Sequence, residues 1–367
     1  MKPPFKFLLS LFSLAVLIFT CFFLPNLFSQ EKLKEALFYE KREDRLVQCR
    51  LCPRNCLIPD KKRGFCRTRE NQGGVLYALD YAKPVAIHID PIEKKPLFHF
   101  LPGTTAYSIA TAGCNLKCKF CQNWEISQSQ PDELDYTYLE PEELIRRVKA
   151  SNSPTIAYTY SEPVIFYEYM LDCAKLAKQA GIKNIMHSNG YINEQPLRQL
   201  AKYLDAANVD LKGFSEEYYA KLCEGSLAPV LNSLKILKEE GVYTEITTLI
   251  LPGFNDDEPT FRKMCLWIKE NLGPDTPLHL SRFFPLYKLT NLSATPPETL
   301  EKLRQIALDC GLRYVYIGNL PGGEAENTYC PACKKLLIER RGYFILQNSV
   351  ENGKCKYCGQ AITGVWK

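Results

Sequence analysis

From residue 106 to residue 317, short apolar runs alternate with longer amphipathic stretches. The runs at 106–112, 155–160, 183–188, 206–211, 242–250, 278–283 and 313–317 predict strands, and 141–150, 163–180, 194–204, 226–240, 257–272 and 297–310 predict helices between them. Repeated βα units imply a parallel sheet with helices outside, an α/β fold built as an open sheet or as a closed or partial barrel. Upstream, 31–45 reads as a short charged helix. Residues 75–90 (VLYALDYAKPVAIHID) read as a strand pair turned near Lys83-Pro84.

The polar positions fall in a second pattern, because nearly every predicted strand ends on them. Cys114 follows the first strand, Thr159-Tyr160-Ser161-Glu162-Pro163 closes the second, and His187-Ser188-Asn189-Gly190 the third. Asp210-Leu211-Lys212 closes the fourth, Pro252-Gly253-Phe254-Asn255-Asp256 the fifth, Arg282-Phe283-Phe284-Pro285 the sixth, and Gly318-Asn319 the last. Packing alone does not ask for polar stops at one end of a sheet, whereas barrel enzymes carry their chemistry there.

Phe7 to Leu24 (FLLSLFSLAVLIFTCFFL) carries no charge and is long enough to span a bilayer. Lys2 and Lys6 precede it, whereas Lys32, Lys34, Lys41, Arg42 and Arg45 follow, which favours a membrane anchor with the body cytoplasmic. A cleavable signal is the alternative, with Leu27-Phe28-Ser29 a poor cleavage site. Thr20 and Phe19 are the wrong context for a lipoprotein signal ending at Cys21.

The 367 residues, 46% of them hydrophobic, suffice for one large domain with appendages. The net charge of +5 is spread along the chain, and its densest basic run, Asp60-Lys61-Lys62-Arg63, lacks interleaved aromatics, so no nucleic-acid partner is expected. Sixteen cysteines in a chain of this size point to metals rather than a disulfide framework. Eleven of them cluster, as Cys49/Cys52/Cys56/Cys66, Cys114/Cys118/Cys121 and Cys330/Cys333/Cys355/Cys358. Cys173, Cys223, Cys265 and Cys310 lie singly in helix-like stretches and read as buried small hydrophobes.

The middle cluster, Cys114-x3-Cys118-x2-Cys121, has three ligands where a closed site wants four. Three thiolates hold three irons of a cubane and leave one iron open, which suits catalysis; a zinc site would need a distant fourth ligand such as His99 or His187. This triplet after the first strand of a βα array, with Phe120 before its last cysteine, resembles the radical S-adenosylmethionine (SAM) superfamily. The resemblance implies a partial (β/α)6-type barrel, a 4Fe-4S cluster on Cys114, Cys118 and Cys121, and SAM chelating the open iron. It also implies reductive cleavage of SAM to a 5′-deoxyadenosyl radical that abstracts hydrogen.

Further motifs resemble the pyruvate formate-lyase activating enzymes within that superfamily and imply SAM contacts. Glu162 stands where those enzymes have a Gly-Gly-Glu-like turn, although the glycines are absent. The same residues read locally as a helix start, with Ser161 as cap and Pro163 in the first turn. Ser188 and Asn189 match a Ser/Thr-Asn-Gly turn, Asp210 and Lys212 match an Asp-x-Lys strand end, and the Pro252–Asp256 segment matches an adenine-supporting stretch. His279 is a candidate contact too, although a core histidine satisfied by a neighbour is the commoner fate. Cys49-x2-Cys52-Pro53-x2-Cys56, Gly64-x-Cys66, the run Asp90 to Phe100 (DPIEKKPLFHF) and Cys121-Gln122-Asn123-Trp124 together resemble the AmmeMemoRadiSam system radical SAM enzymes over residues 45–367. The activating-enzyme resemblance implies a protein substrate and an electron donor such as a flavodoxin or ferredoxin, and the AmmeMemoRadiSam resemblance adds Memo-type and AMMECR-type partners.

The outer cysteine sets are read from spacing. Cys330-x2-Cys333-x21-Cys355-x2-Cys358 is close to a zinc ribbon, with a second iron–sulfur cluster as the alternative. Cys49, Cys52, Cys56 and Cys66 fit either zinc, the preferred metal, or an auxiliary 4Fe-4S cluster, which Arg50, Arg54 and Arg63 would suit as well. The expected organisation is a membrane anchor (1–30), a four-cysteine metal-binding segment with a strand pair (31–104), a catalytic barrel (105–320) and a zinc-ribbon-like module (321–367). A membrane-tethered zinc-binding scaffold without SAM chemistry is the competing function.

Overall fold

The computed structural model describes residues 33–320 and 322–367. Residues Lys34–Lys367 form one compact unit. The membrane anchor expected over 7–24 lies outside the described residues, and among the described ones no helix is long and apolar enough to cross a membrane.

The central sheet has eight strands. Seven are parallel: β8 (Thr105–Ala110), β9 (Thr155–Tyr158), β10 (Lys183–Ser188), β11 (Ala206–Asp210), β12 (Tyr243–Ile250), β13 (Leu278–Arg282) and β14 (Val315–Gly318). They lie in sequence order, and β7 (Ala86–Pro91) adds antiparallel to the β8 edge. Helices α1 (Pro141–Ala150), α2 (Tyr167–Gln179), α3 (Glu194–Ala201), α4 (Leu227–Glu239), α5 (Glu258–Asn271) and α6 (Pro297–Asp309) connect them. The result is six βα units and a closing parallel strand, left open between β14 and β7. Every residue of β9 is buried, as expected of a strand covered on both faces. Helix α1 buries Leu144, Ile145 and Val148 and turns Arg146 and Lys149 to solvent. Helix α5 starts on Asp257, whose carboxylate accepts from Thr260 N at 3.0 Å.

The segment before β8 closes the N-terminal end of the sheet. Glu245 of β12, fully buried, accepts from Phe98 N (3.1 Å), His99 N (2.8 Å) and His279 Nε2 (2.7 Å). Asn208 Nδ2 donates to Pro96 O at 2.7 Å. The C-terminal module clamps the same segment, since Arg340 donates to Phe98 O at 2.8 Å and the His99 ring bonds Thr363 O at 2.7 Å, while the other ring nitrogen meets the Tyr316 hydroxyl of β14 at 2.6 Å. The run Asp90 to Phe100 is therefore a plug with partners in three parts of the fold.

Two upstream expectations are overturned. Residues 33–45, the described part of that expected helix, do not form one: β1 (Lys34–Glu35) and β2 (Tyr39–Lys41) precede a single 3-10 turn at Glu43–Arg45. β1 pairs with β6 (Val75–Ala78) and β2 with β3 (Val47–Cys49), which β4 (Leu57–Ile58) flanks on its other side. Phe38, between β1 and β2, has φ of 54°. Ladder pairing with strands that follow in sequence outweighs local helix propensity here. Nor do the strands in 75–90 pair with each other. β6 bonds β5 (Arg69–Gln72) and β1, whereas β7 bonds β8, so Lys83-Pro84 lies in a connection between two sheets.

Candidate active site

The Cys114, Cys118 and Cys121 loop leaves the C-terminal end of β8, and the neighbouring strand ends converge on it. Asn189, just past β10, sends Nδ2 to Asn115 Oδ1 at 2.9 Å and lies 3.8 Å from Cys114 Sγ. Glu162, after β9, accepts from Ser188 Oγ at 2.6 Å, Asn189 N at 2.8 Å and Val164 N at 3.1 Å. Burial raises the Glu162 carboxyl pKa against those three hydrogen bonds. Glu162, rather than Ser161, is the residue that caps the following 3-10 helix. Ser161 Oγ is buried beside it with no hydrogen-bond partner, a free polar group that suits a bound polar ligand.

Tyr160 precedes this turn at φ of 63°, a conformation glycine adopts without cost. Its side chain holds the strained backbone in place: the hydroxyl donates to Asp90, and the ring lies under the Lys95 ammonium at 4.4 Å. Lys95, itself buried, donates to Asp90 Oδ2 at 2.5 Å, and burial brings its pKa down to about 8.

Lys212 and Asp210 close the other side. They pair at 2.8 Å, and the His187 ring sits 3.1 Å from Asp210. Burial works against the Asp210 carboxylate, yet the Lys212 ammonium and the His187 ring hold its pKa below the ordinary range. Burial likewise opposes the charged Lys212, and Asp210 with the Cys118 and Cys223 thiols keeps it protonated. Cys118 is held low first by a hydrogen bond from Cys223 and, against burial, by Lys212. Sequence reasoning took Cys223 for a plain core residue. Nothing in its neighbours signals otherwise, because the fold brings it to the loop through Lys117 N to Cys223 O at 3.0 Å.

The structure thus groups Cys114, Cys118, Cys121, Glu162, Ser188, Asn189, Asp210 and Lys212. His279 does not join them. It binds Glu245, stacks on Tyr316 at 5.2 Å between ring centres and meets the edge of Phe98, so it belongs to the plug. The reason is register: His279 lies near the start of β13, one residue in, while the other candidates lie at or beyond strand ends.

The C-terminal quartet stands on two tight turns, with Cys330 N donating to Lys335 O at 2.9 Å and Cys355 N to Gln360 O at 2.8 Å. All four Sγ atoms lie within 4.8 Å of one another, with Cys330···Cys358 at 3.6 Å and Cys333···Cys355 at 3.8 Å. A tetrahedral zinc–thiolate site with bonds of about 2.3 Å has edges of about 3.8 Å, so these thiols suit one metal ion.

A parallel βα sheet with an open three-thiol loop at its strand ends defines a class, and the superfamily model "Radical SAM superfamily" matches residues 108–265. The chain belongs to the radical SAM superfamily, and it is an enzyme. In particular, it is 48% identical over 332 residues to the uncharacterized protein MJ0808 of Methanocaldococcus jannaschii, covering 90% of this chain and 99% of that one. It is 23% identical over 212 residues to the pyruvate formate-lyase-activating enzyme of Clostridium pasteurianum, covering 53% of this chain and 86% of that one. A radical SAM methyltransferase from Sphaerobacter thermophilus superposes with a TM-score of 0.47 at 15% identity, covering 65% of this chain and 71% of that one.

Proposed function

We propose that the enzyme binds a 4Fe-4S cluster on Cys114, Cys118 and Cys121 and cleaves SAM reductively to abstract hydrogen from a protein target. The carrying observation is the convergence of Glu162, Asn189, Asp210 and Lys212 on a loop of three thiols. When bound, the cluster supplies one electron and an open iron to which the SAM amino and carboxylate groups attach. Glu162 orients the SAM amino group and holds the Ser188-Asn189 turn in place. Asn189 fixes the loop through Asn115 and Cys114. Lys212 offsets the thiolate charge at Cys118 and, with Asp210, forms a polar wall for the SAM carboxylate and ribose. The Pro252–Asp256 turn, pinned by Asn255 Nδ2 to Lys212 O at 2.9 Å, supports the adenine.

A protein target follows from the resemblance to activating enzymes, as does a flavodoxin- or ferredoxin-type electron donor. Memo-type and AMMECR-type partners rest on the AmmeMemoRadiSam resemblance alone. Zinc in the C-terminal quartet fits the sulfur spacing, and a membrane anchor over 7–24 with the body cytoplasmic fits a reducing, SAM-supplied compartment. The test is anaerobic reconstitution of the full chain with iron and sulfide, reduction, addition of SAM and assay of 5′-deoxyadenosine. Turnover that vanishes in Cys118→Ala is the expected result. Zinc in the triplet and no 5′-deoxyadenosine would refute the proposal and favour the scaffold.

A further inference from the structure

The two outer cysteine clusters each offer four thiols, but the structure separates them by size. Among the described residues, only Cys330, Cys333, Cys355 and Cys358 bring three or more metal-ligating atoms within 4.8 Å of one another. Cys49, Cys52, Cys56 and Cys66 stand wider than that, and so do Cys114, Cys118 and Cys121. In a cubane each thiolate points outward from its own iron, so the sulfurs lie farther apart than the edges of a zinc tetrahedron. The N-terminal quartet, like the triplet and unlike the ribbon, is therefore wider than a zinc tetrahedron.

The space between these thiols is open. Cys49, Cys52, Cys56 and Cys66 line one cavity of about 20 Å³ with Phe65, Ile58 and Arg69, room for a water where a closed zinc tetrahedron leaves none. Arg69 is 1% exposed, its Nη1 lies 3.9 Å from Cys49 Sγ, and its Nε–H has no hydrogen-bond partner. Thr68 Oγ1 lies 3.4 Å from Cys66 Sγ. A buried orphan donor in a wall of thiols is costly unless an acceptor fills the cavity. The inorganic sulfides of an iron–sulfur cluster provide acceptors there, as metal-bound thiolates also do.

We infer that Cys49, Cys52, Cys56 and Cys66 hold a second, redox-active 4Fe-4S cluster, in place of the zinc that spacing alone favoured. It sits directly behind the catalytic loop. A side chain at Gly113 would meet Thr68 Cγ2 at 2.5 Å and Cys66 O at 2.8 Å, and Arg54 Nε donates to Asn115 O at 3.0 Å.

The test uses the full chain, reconstituted with iron-57 and sulfide, in three forms: unaltered, Cys114→Ala/Cys118→Ala/Cys121→Ala, and Cys49→Ser/Cys56→Ser. The expected iron contents are about eight, four and four atoms per chain, because the N-terminal quartet and the triplet each carry one cubane. The triplet variant should keep a reducible 4Fe-4S signal in Mössbauer and EPR spectra while making no 5′-deoxyadenosine. A triplet variant that holds no iron and about two zinc ions per chain overturns the inference, since structural zinc would then fill both quartets. If a variant fails to fold, the unaltered chain still decides the matter: Mössbauer integration to two cubanes supports the inference, and to one cubane refutes it. The 5′-deoxyadenosine assay on the unaltered chain separates failure of this inference from failure of the radical SAM reading.

Discussion

Arg69 and Glu168 form a buried ion pair that fastens the N-terminal cysteine segment to helix α2. Both are essentially unexposed, and the guanidinium grips the carboxylate through two bonds of 2.6 and 2.7 Å. Arg69 also donates to Leu37 O at 3.0 Å, and Glu168 accepts from Leu37 N at 2.7 Å. Replacing Arg69 by Met leaves the Glu168 carboxylate buried with one neutral donor, and removing one partner of such a pair costs about 3–5 kcal/mol. Glu168→Leu strands the arginine and should cost a similar amount. The double variant Arg69→Met/Glu168→Leu removes both charges of the pair, and its residual deficit is the Leu37 N–H and C=O left without these partners, about 1–3 kcal/mol. Urea unfolding followed by fluorescence, with iron content measured on each variant, reads these differences. With m of about 3 kcal/mol per molar, each single variant should lower the midpoint by roughly 1 M or somewhat more, and the double by less than either. A double variant as unstable as the two singles summed, or an Arg69→Met midpoint matching the unaltered chain, would refute the reasoning.

Gly113→Ala, at φ of 99° and against the Cys66 carbonyl, should cost about 1–3 kcal/mol of overpacking and strain and lower both iron retention and 5′-deoxyadenosine turnover. His99 is fully buried, and burial lowers its pKa from 6.5 to about 4. A depressed histidine stabilises the fold above pH 6.5, and that contribution is lost as the pH falls through 6.5 towards 4. The loss reaches about 3 kcal/mol by pH 4, and a pH series of urea midpoints should show it flattened in His99→Gln. Asp80 is buried beside Glu168, its pKa raised first by burial and then by that charge, so ionisation destabilises the fold as pH rises above the ordinary carboxyl range; Asp80→Asn should be more stable than the unaltered chain at pH 8. Cys355→Ser should release one metal ion per chain and raise amide hydrogen exchange at residues 96–101, since the module holds the plug through Arg340 and Thr363.

The βα order, the strand-end polar stops and the open triplet were legible in the sequence because each is local. A strand covered on both faces is a continuous apolar run, and a chelating loop is a fixed spacing of cysteines. The residues misplaced or missed all depend on contacts distant in the chain. His279 reads in the sequence as a candidate contact or, more commonly, a core histidine satisfied by a neighbour, and only the register of β13 against β12 gives it to Glu245. Cys223 joins the catalytic loop across about a hundred residues, through backbone bonds no motif records. Residues 34–35 and 39–41 became strands because β6 and β3 offered ladders that local propensity cannot foresee. The difference between the two outer quartets is of the same kind: spacing fixes which thiols can share a site, but the width of the site is set by the walls that the rest of the chain builds around it.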